Sequence, residues 1–146
     1  MKLISVRQPW ASLIVNGGRN SKGKFLYKDI ENKSMNSKYR GRLGIHASQS
    51  RAGLKGLILY VEDNFDITVD PDKLVFGAII GSVEMVDCVF GSHSSIWFEG
   101  DYGYELKKPF AYPKPIPLKG QLGIYERPEI ARKLARCEDL REGGKQ

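Results

Sequence analysis

Lys28-Asp29-Ile30-Glu31-Asn32-Lys33 is the stretch that says most about the fold of this chain. Four of its six residues are charged, and both signs are present. The stretch nevertheless lies between two apolar segments, Leu13-Ile14-Val15 and Leu43-Gly44-Ile45, where a strand of a small core is expected. Charged groups in a small core need charged partners or a ligand. The stretch therefore predicts either an edge strand protected by its charges or the floor of a binding site.

Strand alternation predicts which of these side chains lie together. Asp29, Glu31 and Lys33 share one face, so Glu31 and Lys33 are expected to pair. Lys28 falls on the opposite face, but a twist or bulge at the start of the strand would turn it into the same cavity. A lysine in a low-dielectric pocket can serve as a base or nucleophile, with a neighbouring carboxylate carrying the proton. Glu84, embedded in an apolar run, is the second candidate catalytic carboxylate.

Composition indicates one domain without a membrane span. The chain has 146 residues, of which 41% are hydrophobic, and no apolar run approaches the roughly 20 residues of a transmembrane helix. The first residues show no signal-peptide pattern. Cys88 and Cys137 lie far apart without metal-ligand spacing, as expected of free thiols in a reducing compartment. The sequence thus predicts a cytoplasmic protein without a metal site.

Charge is distributed unevenly along the chain. The net charge is +6, and residues 18–42 alone hold eight basic and two acidic side chains, a difference of +6. Residues 62–72 carry an acidic patch that includes Asp63, Asp66 and Asp70. This asymmetry fits either a face that attracts phosphate or a solubility surface without a partner.

The N-terminal half is expected to alternate strands and helices. A strand over Leu3–Val6 precedes a helix that opens at Gln8-Pro9 and carries Trp10 on its apolar stripe. Residues 19–27 are predicted to form a mobile basic loop. A second helix over residues 54–61 is expected, with Ser48 or Ser50 as its cap.

The C-terminal half is expected to be rich in strands. Phe76–Val89 predicts a long strand in which Gly77 and Gly81 mark bends or bulges of a closing sheet. Pro109–Pro117 is predicted to be an extended connection between two strands. A charged helix is expected from residue 128 onward. The pattern favours an α+β fold: a small β-barrel of five to six strands with flanking helices, formed by a domain over residues 1–127 with a charged helix and tail over 128–146.

Further candidate ligand residues lie outside the charged stretch. Arg7 and Gln8 are predicted at the N-terminus of the first helix, where an anion is favoured. His46, after an apolar strand, fits a hydrogen-bonded core residue or a ligand contact. Trp97 and Tyr102 belong to an aromatic cluster that can stack bases or fill a core.

Three sequence blocks together resemble the ASCH domain of the PUA-like superfamily. They are Arg7-Gln8-Pro9-Trp10-Ala11, the charged stretch, and Ile45-His46-Ala47-Ser48. The similarity extends over roughly residues 3–126. The family motif reads GxKxxExR; Lys28, Glu31 and Lys33 fill its last three positions, while Leu26 replaces the glycine and Lys33 replaces the arginine. Residues 19–27 resemble an insertion.

The resemblance implies a small β-barrel with a cleft for RNA or a modified nucleoside, and no metal or organic cofactor. In this cleft Trp10 and Trp97 would wall the pocket for a pyrimidine-like base, and Arg7 and Lys33 would hold anionic groups. The other candidate ligand residues are Gln8, Asn32, His46, Ser48 and Tyr102.

The same resemblance leaves the activity open. Some small relatives are amidohydrolases of N4-acetylcytidine that use a lysine at the Lys28 position with a threonine and a glutamate; here Glu31 stands at the threonine position. Other relatives are nucleases or plain nucleic-acid binders. The chain is therefore expected to be a base-binding domain, an amidohydrolase or ribonuclease, or a regulatory module without catalysis.

Overall fold

The protein is built on one six-stranded mixed sheet, bent into a half-barrel and flanked by three helices. The computed structural model describes residues 1–143. The strands of this sheet are β1 (Lys2–Val6), β4 (Ile30–Lys33), β5 (Gly41–Ala47), β6 (Ala78–Phe90), β7 (Tyr102–Pro117) and β8 (Ile124–Tyr125); β2 and β3 form a separate ribbon described below. Their order across the sheet is β4-β7-β6-β5-β1-β8. The predicted α+β fold, a small β-barrel of five to six strands with flanking helices, is confirmed.

The helices are α1 (Trp10–Val15), α2 (Leu54–Phe65) and α3 (Ala131–Gly143), with short 3-10 turns at Pro71–Lys73 and Pro128–Ile130. Helix α1 lies inside the curve of the sheet, and four of its six residues are buried. It approaches β6 closely at Gly81, where a Cβ atom would lie 2.4 Å from Val15 Cγ1 and 2.3 Å from Phe110 O. A glycine is required there because any side chain would collide with backbone.

Bulges give the sheet its curvature. The β6–β7 register shifts at three places, one of them between Ile79 and Gly81, and the β5–β6 register shifts between Ile45 and His46. Each bulge adds local twist and bends the strand that carries it. The prediction that Gly81 marks a bend is therefore confirmed.

Residues 19–27 were expected to be a mobile loop, and the structure corrects this. β2 (Gly18–Arg19) and β3 (Phe25–Leu26) pair as a two-stranded antiparallel ribbon. Asn20 Oδ1 organises the turn by accepting from the backbone nitrogens of Lys22 and Lys24, at 3.0 and 2.9 Å. Asp66 accepts from Ser21, which fixes the ribbon to the end of α2.

The proline-rich stretch belongs to β7 and is not a connection between strands. β4 pairs only with residues Tyr102 to Glu105 of β7, so the later part of β7 has a partner only in β6. Proline is tolerated where its missing N–H faces an unpaired side. The first of the two predicted strands and the predicted connection therefore form one strand of 16 residues, and the second predicted strand is the separate β8.

Two helix boundaries also differ from expectation. Helix α2 begins after Gly53, whose φ is +68°, and no side chain caps it. Ser48 and Ser50 instead accept backbone N–H groups within the preceding loop. The C-terminal helix begins at Ala131 after a 3-10 turn and packs on the barrel through Ile130 and Leu134, beside Leu3. No helix within residues 1–143 is both long and apolar enough to cross a membrane.

Candidate functional site

A cavity of about 220 Å³ opens beside the edge strand β4 and is here called the β4 cavity. Its lining combines aromatic, basic, acidic and amide side chains. The lining residues are Trp10, Lys28, Glu31, Asn32, Phe65, Trp97 and Glu99.

Lys28 and Glu31 face this one cavity. Strand β4 begins only at Ile30, and the Lys28 backbone N–H donates to Leu13 O at the end of α1, at 3.0 Å. Lys28 therefore precedes the strand, so the alternation of side chains between the two faces of β4 does not fix the side on which Lys28 lies. Its ammonium donates to Ile30 O and to Glu31 Oε1, the latter at 3.0 Å. Lys28 and Glu31 therefore meet in one cavity, as expected, and Lys28 is only 4% exposed.

Glu31 also contacts Lys33, as strand alternation predicts. Its second carboxylate oxygen, Oε2, lies 3.5 Å from Lys33 Nζ. The Lys33 side chain is one-third exposed, whereas that of Glu31 is nearly buried. One negative charge thus lies between two positive charges, and the excess positive charge is on the solvent side.

Three aromatic rings form the apolar wall of the β4 cavity. Phe65 and Trp97 stack with ring centroids 4.0 Å apart and an interplanar angle of 22°. Trp10 meets Phe65 edge-on at 6.5 Å, and Lys28 Nζ lies 5.6 Å from the Trp10 ring centroid. The cation thus lies within the range at which it is attracted to an indole face.

Asn32 fixes the loop that carries Trp97. Its Nδ2 donates to Trp97 O and its Oδ1 accepts from the backbone N–H of Glu99, both at 2.9 Å. The amide is therefore engaged in holding the rim of the cavity. The Glu99 carboxylate accepts a hydrogen bond from the Tyr60 hydroxyl, and this hydrogen bond raises the pKa of Tyr60.

Comparison with solved structures identifies the fold. The ASCH protein from Zymomonas mobilis matches with a TM-score of 0.51 and 16% sequence identity, over 92% of this chain and 93% of that chain. A mutant of the same protein, ZmASCH, matches with a TM-score of 0.51 and 17% identity, over 92% and 96%. The chain has the ASCH fold. No family model and no curated protein matches the sequence.

Within the ASCH fold, five of the predicted site residues line the β4 cavity. Lys33 does not line it but contacts Glu31, which does. The five are Trp10, Lys28, Glu31, Asn32 and Trp97. Sequence reasoning missed Phe65 and Glu99. Glu99 directly follows two aromatic residues, and an acid in that position could have indicated a site residue. Phe65, at the end of an amphipathic helix, has no sequence feature that distinguishes it from a core residue.

Arg7 and Gln8 lie outside the cavity of this ASCH fold. Arg7 is exposed and donates to Ala52 O. Gln8 is buried, where its side chain donates to Val75 O and accepts from the Ser12 N–H, both at 2.9 Å. Both residues therefore connect segments of chain, and neither lines the β4 cavity.

His46 and Ser48 line a separate cavity of about 300 Å³. His46 Nε2 lies 2.6 Å from Leu118 O and its Nδ1 lies 3.0 Å from Ser5 Oγ, which also contacts the Tyr125 hydroxyl. Burial lowers the pKa of His46. The residue is hydrogen-bonded and 1% exposed, as the core interpretation of its sequence position predicts.

Glu84 and Tyr102 lie on the sheet outside the β4 cavity. Glu84 is on β6, opposite Arg42 of β5 and Lys107 of β7. Tyr102 is on β7, directly opposite Lys33, and its ring packs on Phe90. Glu84 therefore has cationic neighbours across the sheet and no contact with Lys28.

Proposed function

We propose that the β4 cavity binds one unstacked, pyrimidine-like base of a single-stranded RNA. The observation that carries this proposal is the meeting of an aromatic wall with the Lys28–Glu31 pair in one cavity of about 220 Å³. Pockets for drug-sized ligands span roughly 300–1,000 Å³, so this cavity suits a base better than a whole nucleotide. RNA recognition commonly places splayed bases on aromatic side chains.

The polar groups of the cavity match a base edge. Lys28 supplies a donor, and the Glu31 and Glu99 carboxylates supply acceptors, so an edge that presents both donors and acceptors can be paired. Lys33, on the solvent side of Glu31, is positioned for the phosphate that follows the base. The ASCH fold supports the proposal, since the family resemblance implies RNA or nucleotide ligands.

The test is the affinity for a single-stranded RNA of mixed sequence, measured by fluorescence anisotropy over a range of salt concentrations. Lys33→Ala is expected to reduce the slope of log K against log salt by about 0.7, the value for one phosphate contact on a single strand. Trp97→Ala is expected to weaken binding at every salt concentration, because stacking depends little on salt.

Lys133→Ala is the matched control, because Lys133 lies exposed on α3, which lines no part of the cavity. It should leave both affinity and slope unchanged. Absence of RNA binding at low salt, or a Lys33→Ala protein that behaves like the parent, would refute the proposal.

A second candidate function is hydrolysis of an acylated cytidine such as N4-acetylcytidine. One observation favours it: Lys28 Nζ and Glu31 Oε1 lie 3.0 Å apart inside a single cavity. In this reaction water adds to the amide carbonyl carbon, the C–N bond breaks, and the amine leaves with a proton. Lys28 and Glu31 are the groups placed to activate water and to move that proton.

Incubation with N4-acetylcytidine distinguishes the two functions. Release of cytidine that disappears in Lys28→Ala would support hydrolysis. No release by the parent protein, or full release by Lys28→Ala, would leave binding as the function of the cavity.

A further inference from the structure

Three side chains form a row across the sheet next to the β4 cavity. Lys33 of β4 is directly opposite Tyr102 of β7, and Tyr102 is directly opposite Phe90 of β6. Side chains of directly opposed residues in antiparallel strands project from the same face. Lys33, Tyr102 and Phe90 therefore lie side by side, and Lys33 is the member nearest the cavity.

The aromatic end of this row is open to solvent. Phe90 is 69% exposed, and its ring centroid lies 4.9 Å from that of Tyr102 at an interplanar angle of 46°. We call Phe90 and Tyr102 the aromatic platform. No other aromatic ring within residues 1–143 pairs with Phe90 or Tyr102.

Lys33, the neighbour of the platform in the row, is connected to the β4 cavity through Glu31. Glu31 holds Lys28 inside the cavity with one carboxylate oxygen and Lys33 outside it with the other. Neighbouring strands are about 4.8 Å apart, so Phe90 lies about 10 Å from Lys33, two strands away. An RNA strand that leaves the cavity along this row passes the Lys33 cation before it reaches the rings of Tyr102 and Phe90.

Charged residues of both signs lie around the platform, and Lys33 is the cation directly opposite Tyr102. Arg40 contacts Asp87 of β6, near the end of the strand that carries Phe90, at 3.5 Å. Lys38 belongs to the same exposed segment between β4 and β5. Proteins that bind single-stranded nucleic acids combine exposed aromatic rings with nearby cations, and here Lys33 is the cation beside the rings.

We propose that the aromatic platform stacks the base of the nucleotide adjacent to the one in the β4 cavity, while Lys33 holds the phosphate between them. This inference rests on the proposed function of the cavity and extends it from one base to a short RNA segment. The bound partner is then a single strand of at least two nucleotides, and an isolated nucleotide engages only half of the site.

The test compares cytidine 5′-monophosphate with the trinucleotide CpCpC by calorimetric titration of the full chain. Phe90→Ala is expected to weaken trinucleotide binding at least fivefold, the loss of one stacked base, and to leave mononucleotide binding unchanged. Phe90→Trp should restore trinucleotide affinity because it restores a stacking surface. Leu122→Ala is the matched control, since Leu122 is 96% exposed and precedes β8 at the opposite edge of the sheet.

The outcomes separate this inference from the proposed function. Unchanged trinucleotide affinity in Phe90→Ala would overturn the platform while leaving the cavity in place. A parent protein that binds neither ligand would overturn both. Equal losses of affinity for both ligands in Phe90→Ala would also overturn the platform. So would the conversion of a dimer to a monomer by Phe90→Ala without any loss of RNA affinity, because Phe90 would then serve contact between protein copies.

Discussion

At the scale of single residues, Glu31 explains why a charged stretch can lie at the edge of a small core. Its carboxylate contacts Lys28 on the cavity side and Lys33 on the solvent side. β4 is an edge strand, paired only with β7. Both interpretations of the sequence therefore apply to β4: it is an edge strand protected by charges, and it also lines the cavity.

Removal of the buried cation should destabilise the protein. Lys28→Met keeps much of the apolar stem but leaves the nearly buried Glu31 with Lys33 alone. We expect the free energy of unfolding to fall by about 3 kcal/mol, the lower end for breaking a buried pair. The double variant Lys28→Met/Glu31→Gln should lose clearly less than the sum of its single variants in urea unfolding. Strictly additive losses would show that the pair is not coupled.

His46 should make stability depend on pH. Leu118 O can only accept, so Nε2 carries the proton and Nδ1 accepts from Ser5 in the neutral ring. Because burial lowers the pKa of His46 below its ordinary value of 6.5, only the unfolded state takes up a proton just below that pH. Stability is complete above 6.5 and falls as pH decreases, by at most about 1.4 kcal/mol per pH unit.

Urea unfolding between pH 5 and pH 8 checks this prediction. His46→Gln should flatten the part of the pH dependence that lies below the ordinary histidine pKa. Lys133→Ala is the control, because it removes an exposed lysine of α3 and should leave that part of the pH dependence unchanged. Identical pH profiles for the parent and His46→Gln would contradict the assignment.

At the scale of elements, a polar network anchors α3 to the barrel. Glu138 accepts from Ser82, Tyr112 and Arg141, and Arg42 Nε lies 3.3 Å from its carboxylate. Burial alone would raise the pKa of Glu138, but the hydrogen bonds and the Arg42 charge outweigh burial and lower it. Burial raises the pKa of Tyr112, which therefore stays a donor.

Breaking this network should be costly. Glu138→Ala leaves Arg42 nearly buried without its counterion, although Arg42 Nη1 already has no partner within residues 1–143. We expect the free energy of unfolding to fall by about 3 kcal/mol. Asp139→Ala, one residue along on the exposed side of α3, should change it by less than about 0.5 kcal/mol. Equal effects of the two substitutions in urea unfolding would show that α3 docks without this network.

Elements with a clear period or local turn chemistry could be predicted, and those fixed by distant partners could not. The apolar stripe of α1 and the glycine at the β6 bulge follow from sequence. The ribbon formed by residues 18–26 is held in place by Asp66, the residue that follows α2, through a contact with Ser21 45 residues away. The prolines of β7 are compatible with a strand only because β4 is short and leaves that side unpaired.

At the scale of the whole molecule, the basic stretch 18–42 does not fold into one face. Lys28 is buried in the β4 cavity, and Arg42 is joined to Glu138. The ribbon that carries Lys22 and Lys24 lies against Asp66 at the acidic end of α2. Lys33 is the exposed cation that contacts the cavity lining, through Glu31. The charge count of the sequence could not show this distribution.

The part of the candidate site whose residues are close together in the sequence could be predicted. Lys28, Glu31 and Lys33 are close in sequence, so strand geometry and one irregular turn suffice to bring them together. Phe65 and Glu99 join them only because α2 and the loop before β7 fold over β4. His46 belongs to a resembling sequence block, but its strand β5 places it in another cavity.

Tryptophan fluorescence tests the central claim most directly, because both tryptophans of the chain line the β4 cavity. Titration with single-stranded RNA at low salt is expected to quench the emission, and Trp10→Phe and Trp97→Phe should each retain part of the quenching. A double-stranded RNA of equal length should quench little, because its bases are not free to enter the cavity. RNA binding that leaves the emission of both tryptophans unchanged would place the binding site elsewhere and contradict the claim.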